Sequence, residues 1–259
     1  MAGFAERCSP SENRLLDSLP TIDCQRLGPH LQPIRFSAGQ VVCEAGELLD
    51  HVYFPTTAVI CSLYTTQEGA VAETGMTGSD GVFGITVVLG GDTTPSRSVV
   101  QIAGGAFRLP ANIFREEFAR GGSFQQLLLR HIQALLTQVS QTAVCNRLHT
   151  IEKRLCRWLL SSHDHTKSKE LRMTQEFISN MLGRRRESVT LAAGHLQDAG
   201  LIHYSRGHIV ILDREGLEAA TCECYHVVKR ETDRLLGKTA LPIRRYDPEQ
   251  KVQVRHRSA

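Results

Sequence analysis

The sequence predicts an α+β protein: an N-terminal β-roll, a long helix, and a C-terminal winged helix-turn-helix. Three observations carry this reading. Short apolar runs separated by glycines fill residues 34–109. A stretch without Gly or Pro runs from Phe124 to His149. Two short amphipathic segments then flank Gly183, and a hairpin pattern follows them.

Residues 11–20 form a short helix that Pro20 stops. The apolar runs beyond it are Gln40–Cys43, His51–Phe54, Val59–Tyr64, Ser98–Ile102 and Ala106–Leu109. Short strands at regular spacing, with glycines such as Gly46, Gly69 and Gly104 between them, predict a β-sandwich or roll over residues 1–120. The long helix occupies 121–149. Within it Leu128, Ile132, Leu135, Val139, Thr142 and Asn146 are spaced four and three residues apart in alternation. That 3.5-residue period describes a coiled-coil seam. The favoured reading is a parallel homodimer helix, the alternative a stripe packed on the protein's own β-domain.

A further helix is expected from Ile151 to Ser161, then a polar loop from Ser162 to Glu170. Thr174 caps a short helix whose apolar face is Phe177, Ile178, Met181 and Leu182. Gly183 allows a sharp turn. A second helix follows, with Val189, Ala192, Ala193 and Leu196 as its buried stripe, and Gly200 ends it. Two helices joined by a glycine turn make a helix-turn-helix. Ser205-Arg206-Gly207 then turns a hairpin of two short strands, which is a wing. The winged unit is assigned to 150–225, and a C-terminal helix with a basic tail to 226–259.

The start of the second helix carries Arg184, Arg185, Arg186, Glu187, Ser188 and Thr190. Arginine pairs with guanine through two acceptors, and glutamate accepts from a cytosine amine. Three adjacent arginines repel one another unless an anion is near. An ordinary αα-hairpin with a solvated turn is the competing reading. Thr174, Arg206 and His208 join the candidate DNA contacts, with the last two at the wing facing phosphate. Charge agrees with this placement. Residues 1–149 hold 10 Arg, no Lys and 13 acidic residues, a net of −3, while residues 150–259 hold 20 basic and 14 acidic residues, a net of +6.

At these residues the chain resembles the cyclic-AMP receptor/Fnr (Crp/Fnr) regulators. The match is strongest from Thr174 to Ile202 and covers most of the chain in element order. The resemblance implies base reading by Arg186 and Glu187. It also places Leu191 where some members carry a further base-reading arginine, which implies a different operator preference. The N-terminal domain then corresponds to a cyclic-nucleotide-binding-like jelly roll. There Gly84-Ile85 stands in place of the family's Gly-Glu pair, and Arg97-Ser98 stands at its Arg-Ser position. The candidate effector residues are thus Gly84, Arg97 and Ser98, with Arg97 either holding an anion or paired within its own domain. Ile85 cannot accept a ribose hydroxyl, and burying that hydroxyl unpaired costs about 1–3 kcal/mol. Tight cyclic-AMP binding is therefore not expected.

Eight cysteines occur, none in a C-x-x-C pair. Cys8, Cys24 and Cys43 are too far apart for the family's iron–sulfur ligands. Cys222-Glu223-Cys224 is too short a spacing for a zinc-ribbon pair. Its expected role is structural or incidental, the alternative being a metal- or redox-gated repressor that adds His226. His163-Asp164-His165 reads as a polar loop. No cofactor is predicted and the effector is unassigned. No Gly-rich phosphate loop with lysine and no catalytic constellation is present, so an enzyme is not expected. No apolar run reaches the length of about 18 residues that a membrane helix needs, and Met1 to Pro10 lacks a signal peptide's apolar core, so a cytoplasmic protein is expected. The expected partners are double-stranded DNA and a second copy, with RNA polymerase as a further candidate. The rival function is a sensor or interaction module whose helix-turn-helix reads no DNA. The tail, with Lys238, Arg244, Arg245, Lys251, Arg255 and Arg257, either extends the DNA contact or is solvated.

Overall fold

The computed structural model describes residues 12–166 and 168–237. Two short helices open it, α1 (Arg14–Asp17) and α2 (Thr21–Leu27). Asn13 caps α1, its Oδ1 accepting from the amides of Leu15 and Leu16. Seven strands follow: β1 (Gln32–Phe36), β2 (Val41–Cys43), β3 (His51–Pro55), β4 (Val59–Thr65), β5 (Val71–Thr77), β6 (Arg97–Ile102) and β7 (Gly104–Pro110). They form two antiparallel sheets, ordered β1-β7-β3 and β2-β6-β4-β5. All five expected runs are strands; β1 and β5 are additional.

Helix α3 (Ala111–Ala119) leads into the long helix α4 (Gly122–Leu148). Then come α5 (Ile151–Asp164), β8 (Glu170–Arg172), α6 (Gln175–Leu182), α7 (Arg186–Asp198), β9 (Ile202–Ser205), β10 (His208–Ile211), α8 (Arg214–Ala220) and α9 (Glu223–Leu236). Helix α5 runs three residues beyond the expected end. Strand β8 joins the wing hairpin as a three-stranded antiparallel sheet, ordered β8-β10-β9.

Strand β4 explains how the two halves meet. Its residues Val59, Ile60 and Cys61 are all buried, so the strand is covered on both faces. Ile60 points into the core between the two sheets, with Phe54, Val100, Phe114 and Phe124. Val59, Cys61 and Leu63 point the other way, into a second core shared with Trp158, Ile178, Leu182, Val189 and Ile209. One face of the four-stranded sheet thus closes the β-domain, and the other is a platform for the helix-turn-helix. Helix α9 then returns along α4 and buries Leu235 and Leu236 in the first core. Cys8 and the basic positions from Lys238 onward lie outside the described residues.

The long helix departs from the expected seam. Leu128 is buried in its own protomer's core, and Thr142 is buried with its hydroxyl 3.4 Å from Arg157 Nη1. Neither faces outward. Leu135 is partly buried at the edge of a cavity in the β-domain. Of the six residues expected on the seam only Val139 is exposed, with Ile132 and Asn146 half-buried. The exposed apolar row is instead Leu129, Leu136, Val139 and Ala143, with Ile132 between them, again at spacings of three and four. The expected period is present, but most of the row is displaced by one residue around the helix, because α4 also packs on its own β-domain and on α9.

Candidate nucleic-acid interface

The helix-turn-helix is built from local signals. Thr174 Oγ1 accepts from the amide of Phe177 at 3.1 Å and caps α6. This side chain is committed to the cap, exposed at the helix start. Gly183 ends α6 at φ +56°, ψ 44°, a left-handed conformation that glycine adopts freely. The Arg184 amide then returns to the Ser179 carbonyl at 3.0 Å. Buried Arg154 donates to the Leu182 carbonyl, putting a cation on the last turn of α6. Burial, with Arg184 nearby, pushes this guanidinium down to about 10.

Helix α7 starts at Arg186 with Arg185 as its N-cap, and no side chain caps it. Its first amides therefore face outward with no side-chain acceptor, an arrangement that suits an anion. Arg184, Arg185, Arg186, Glu187 and Ser188 are all exposed there. Among the described residues no ion pair engages Arg184, Arg185, Arg186 or Arg206. Thr190 Oγ1 lies 2.9 Å from both Gln175 Oε1 and the Arg186 carbonyl, which ties α7 to the start of α6. Val189, Ala192, Ala193 and Leu196 form the buried stripe of α7.

In the wing, Arg206 and Gly207 turn the hairpin at φ +47° and +82°. Two positive φ angles match the right-handed twist of the flanking strands. Arg206 is exposed at the tip. His208 is less free than expected: its Nδ1 is paired with Glu170 across β8 and β10, and this contact is the main reason the Glu170 carboxyl is held below its usual range. Strand β8, only three residues long, carried no periodic signal.

The candidate effector residues do not converge. Gly84, at φ +96°, opens a short 3-10 turn, Ile85–Val88, and lines a cavity of about 200 Å³ with Ile85, Ser62, Thr86 and Ser96. Its lining contains no charged side chain. Arg97 points elsewhere and pairs with Glu44 at 3.1 Å on the surface. Ser98 is buried, and its Oγ has no hydrogen-bond partner among the described residues. A cyclic phosphate would thus meet no cation in this cavity, and a ribose hydroxyl would meet Ile85. The residues present do not fit a cyclic nucleotide.

The remaining polar motifs are separate from this face. Asp164 accepts from Arg214 Nη2 at 2.6 Å and from the Tyr225 hydroxyl at 2.8 Å, while His163 Nδ1 lies 2.6 Å from Arg214 Nη1. These contacts hold α5 to α8 and α9. Cys222 and Cys224 are buried, and the histidine beside them is His149 rather than His226. Cys145 completes that group. The sequence signal for the pair Cys145 and His149 was their i, i+4 spacing on one helix face, but their partners lie about 75 residues on.

No helix among the described residues is long and apolar enough to cross a membrane. Residues 33–120 match the cyclic nucleotide-binding domain family, and residues 153–220 match the Crp-like helix-turn-helix domain family. No curated protein sequence matches the chain. Among solved structures, a Crp/Fnr-family transcriptional regulator from Eubacterium rectale superposes with a TM-score of 0.64 at 18% identity, covering 83% of this chain and 98% of the other. FixK2 from Bradyrhizobium japonicum gives 0.63 at 15% identity, covering 74% and 98%. The c-di-GMP-responsive global regulator CLP from Xanthomonas campestris gives 0.57 at 16% identity, covering 75% and 100%. With a cyclic nucleotide-binding domain followed by a Crp-like helix-turn-helix domain, the chain belongs to the Crp/Fnr family of transcriptional regulators.

Proposed function

We propose that the protein is a homodimeric, sequence-specific DNA-binding regulator that works in the cytoplasm without gating by cyclic AMP and without a catalytic role. The observation that carries this is the uncapped start of α7, where exposed Arg184, Arg185, Arg186 and Glu187 surround free helix amides beside the Arg206 wing. Arg186 and Glu187 read base edges, while Arg184, Arg185, Ser188 and Arg206 hold phosphates. The exposed row on α4 pairs with the same row of a second copy. Two α7 helices then enter successive major grooves, so the site is a pseudo-palindrome with half-sites about one helical turn apart. The uncharged cavity and the Arg97–Glu44 pair support independence from cyclic AMP.

The test is selection of genomic DNA fragments by the purified protein at a stated salt concentration, with and without cyclic AMP. A palindromic motif recovered equally in both supports the reading. A motif that needs cyclic AMP removes the claim of independence. Binding that is salt-sensitive and sequence-blind in both removes base reading.

A further inference from the structure

Four metal-ligating side chains meet where the long helix hands over to the DNA-binding domain. Cys145 lies in the last turn of α4, and His149 is its C-cap. Cys222 is the N-cap of α9, and Cys224 lies in its first turn. The three cysteines are buried and His149 is half-buried. Their donor atoms all lie within 4.8 Å of one another. Cys145 Sγ is 3.5 Å from Cys222 Sγ, and Cys224 Sγ is 3.6 Å from His149 Nδ1. A tetrahedral zinc ion with bonds of about 2.3 Å to sulfur and 2.0–2.1 Å to nitrogen sets its ligands about 3.5–3.8 Å apart. Two of the six donor pairs already stand at that separation, and the others lie within 4.8 Å, so small side-chain shifts complete the tetrahedron.

Two surrounding features point the same way. His149 turns Nδ1 toward the sulfurs and Nε2 toward Glu223 Oε1, at 3.4 Å. A metal-bound histidine characteristically donates its other ring N–H to a carboxylate, which fixes tautomer and orientation. Charge is the second. Three thiolates around a divalent ion leave one negative charge. Arg157 is buried within electrostatic range of Cys145, and its Nε has no hydrogen-bond partner among the described residues. Thiolates at the N-terminus of α9 also gain from the helix dipole.

We propose that Cys145, His149, Cys222 and Cys224 form a Cys₃His site for a thiophilic divalent cation of the zinc class, clamping α9 to the end of α4. Binding forms three metal–sulfur bonds and one metal–nitrogen bond and releases the three thiol protons to solvent. All four positions are filled by protein, so the site is structural rather than catalytic. It includes His149 and adjoins Thr150, the two residues between α4 and α5, and so fixes how the helix-turn-helix hangs from the long helix. That last consequence rests on the DNA-reading function; the metal site itself does not.

The test uses the full chain purified under reducing conditions without chelators. Elemental analysis is expected to find about one zinc per chain. After zinc removal, titration with Co²⁺ is expected to give the visible bands of tetrahedral thiolate coordination with a one-to-one endpoint. Cys222→Ser should lose the bands, and Glu223→Gln should weaken metal binding about 10–100-fold while all four ligands remain. His149→Cys, which keeps four ligands, should retain them. Reduced, folded wild-type protein that binds no Co²⁺ tetrahedrally would overturn the proposal. So would a Cys145–Cys222 disulfide that, once reduced, leaves a metal-free protein. Both readouts are spectroscopic or elemental, so a failure of DNA binding would leave them untouched.

Discussion

The indole Nε1 of Trp158 donates to Oε2 of Glu73 at 2.8 Å, joining helix α5 of the winged unit to strand β5 of the four-stranded sheet. Both side chains are buried, and Phe177 of α6 packs near the same indole. This contact, together with the buried hydrogen bond from Gln101 Nε2 to Ser162 Oγ at 2.6 Å, fixes how the helix-turn-helix rests on the four-stranded sheet. Gly183 also touches β5, since a Cβ there would lie 3.2 Å from that of Ala72.

The Glu73 contact has a pH signature. Burial raises its carboxyl above the usual range, against the pull of the Trp158 hydrogen bond and of Arg157. The native state therefore keeps a proton that the unfolded chain has released, and stability falls as pH rises from the ordinary carboxylate range through the raised value. Gln at this position does not titrate and still offers Trp158 an acceptor. Glu73→Gln should gain stability relative to wild type between pH 4 and pH 7, measured by denaturant unfolding. An equal difference at both pH values would contradict the assignment.

The exposed row on α4 predicts a clean separation between two leucines. Leu136 is 63% exposed and Leu128 is fully buried. Leu136→Asp should give a folded monomer by light scattering. Leu128→Asp should fail to fold, because it leaves a buried charge without a partner. A Leu136→Asp protein that remains dimeric would remove this row as the interface.

Much of this architecture was legible from the sequence, and the gaps have physical causes. The β4 run Val59-Ile60-Cys61 was visible because a strand buried on both faces is apolar throughout. Strand β5 was not. Its sequence Val71-Ala-Glu-Thr-Gly-Met-Thr77 does not alternate, since Glu73 turns into the interdomain core to meet Trp158. The turn at Gly183 and the stripe on α7 were legible because caps and helical periodicity are local. The outward row on α4 was misplaced because period alone does not say which of two adjacent stripes the protomer covers. The cysteine cluster was invisible as a unit because it forms only when α9 folds back along α4.

At the helix-turn-helix turn, Gly183→Ala should destabilise the protein by about 1–2 kcal/mol, the cost of a left-handed residue with a Cβ. Gly183→Asn should cost less, because asparagine tolerates that conformation. Chemical denaturation of the two variants checks the order, and equal losses would indicate crowding against Ala72 as the cause.

For the wing, Arg206→Gln should weaken binding by a similar factor on every DNA sequence and reduce the slope of log affinity against log salt by about 1. Fluorescence anisotropy on specific and scrambled duplexes at several salt concentrations measures both. A loss confined to one sequence would make Arg206 a base reader.

The central claim is that the start of α7 reads bases. The most direct measurement compares wild type and Arg186→Ala on the selected operator and on duplexes carrying every single-base change in one half-site. Arg186→Ala should lose about 1–3 kcal/mol on the operator and relax the preference at one position in each half-site, with the other positions unchanged. Unaltered affinity and an unaltered base preference would contradict it.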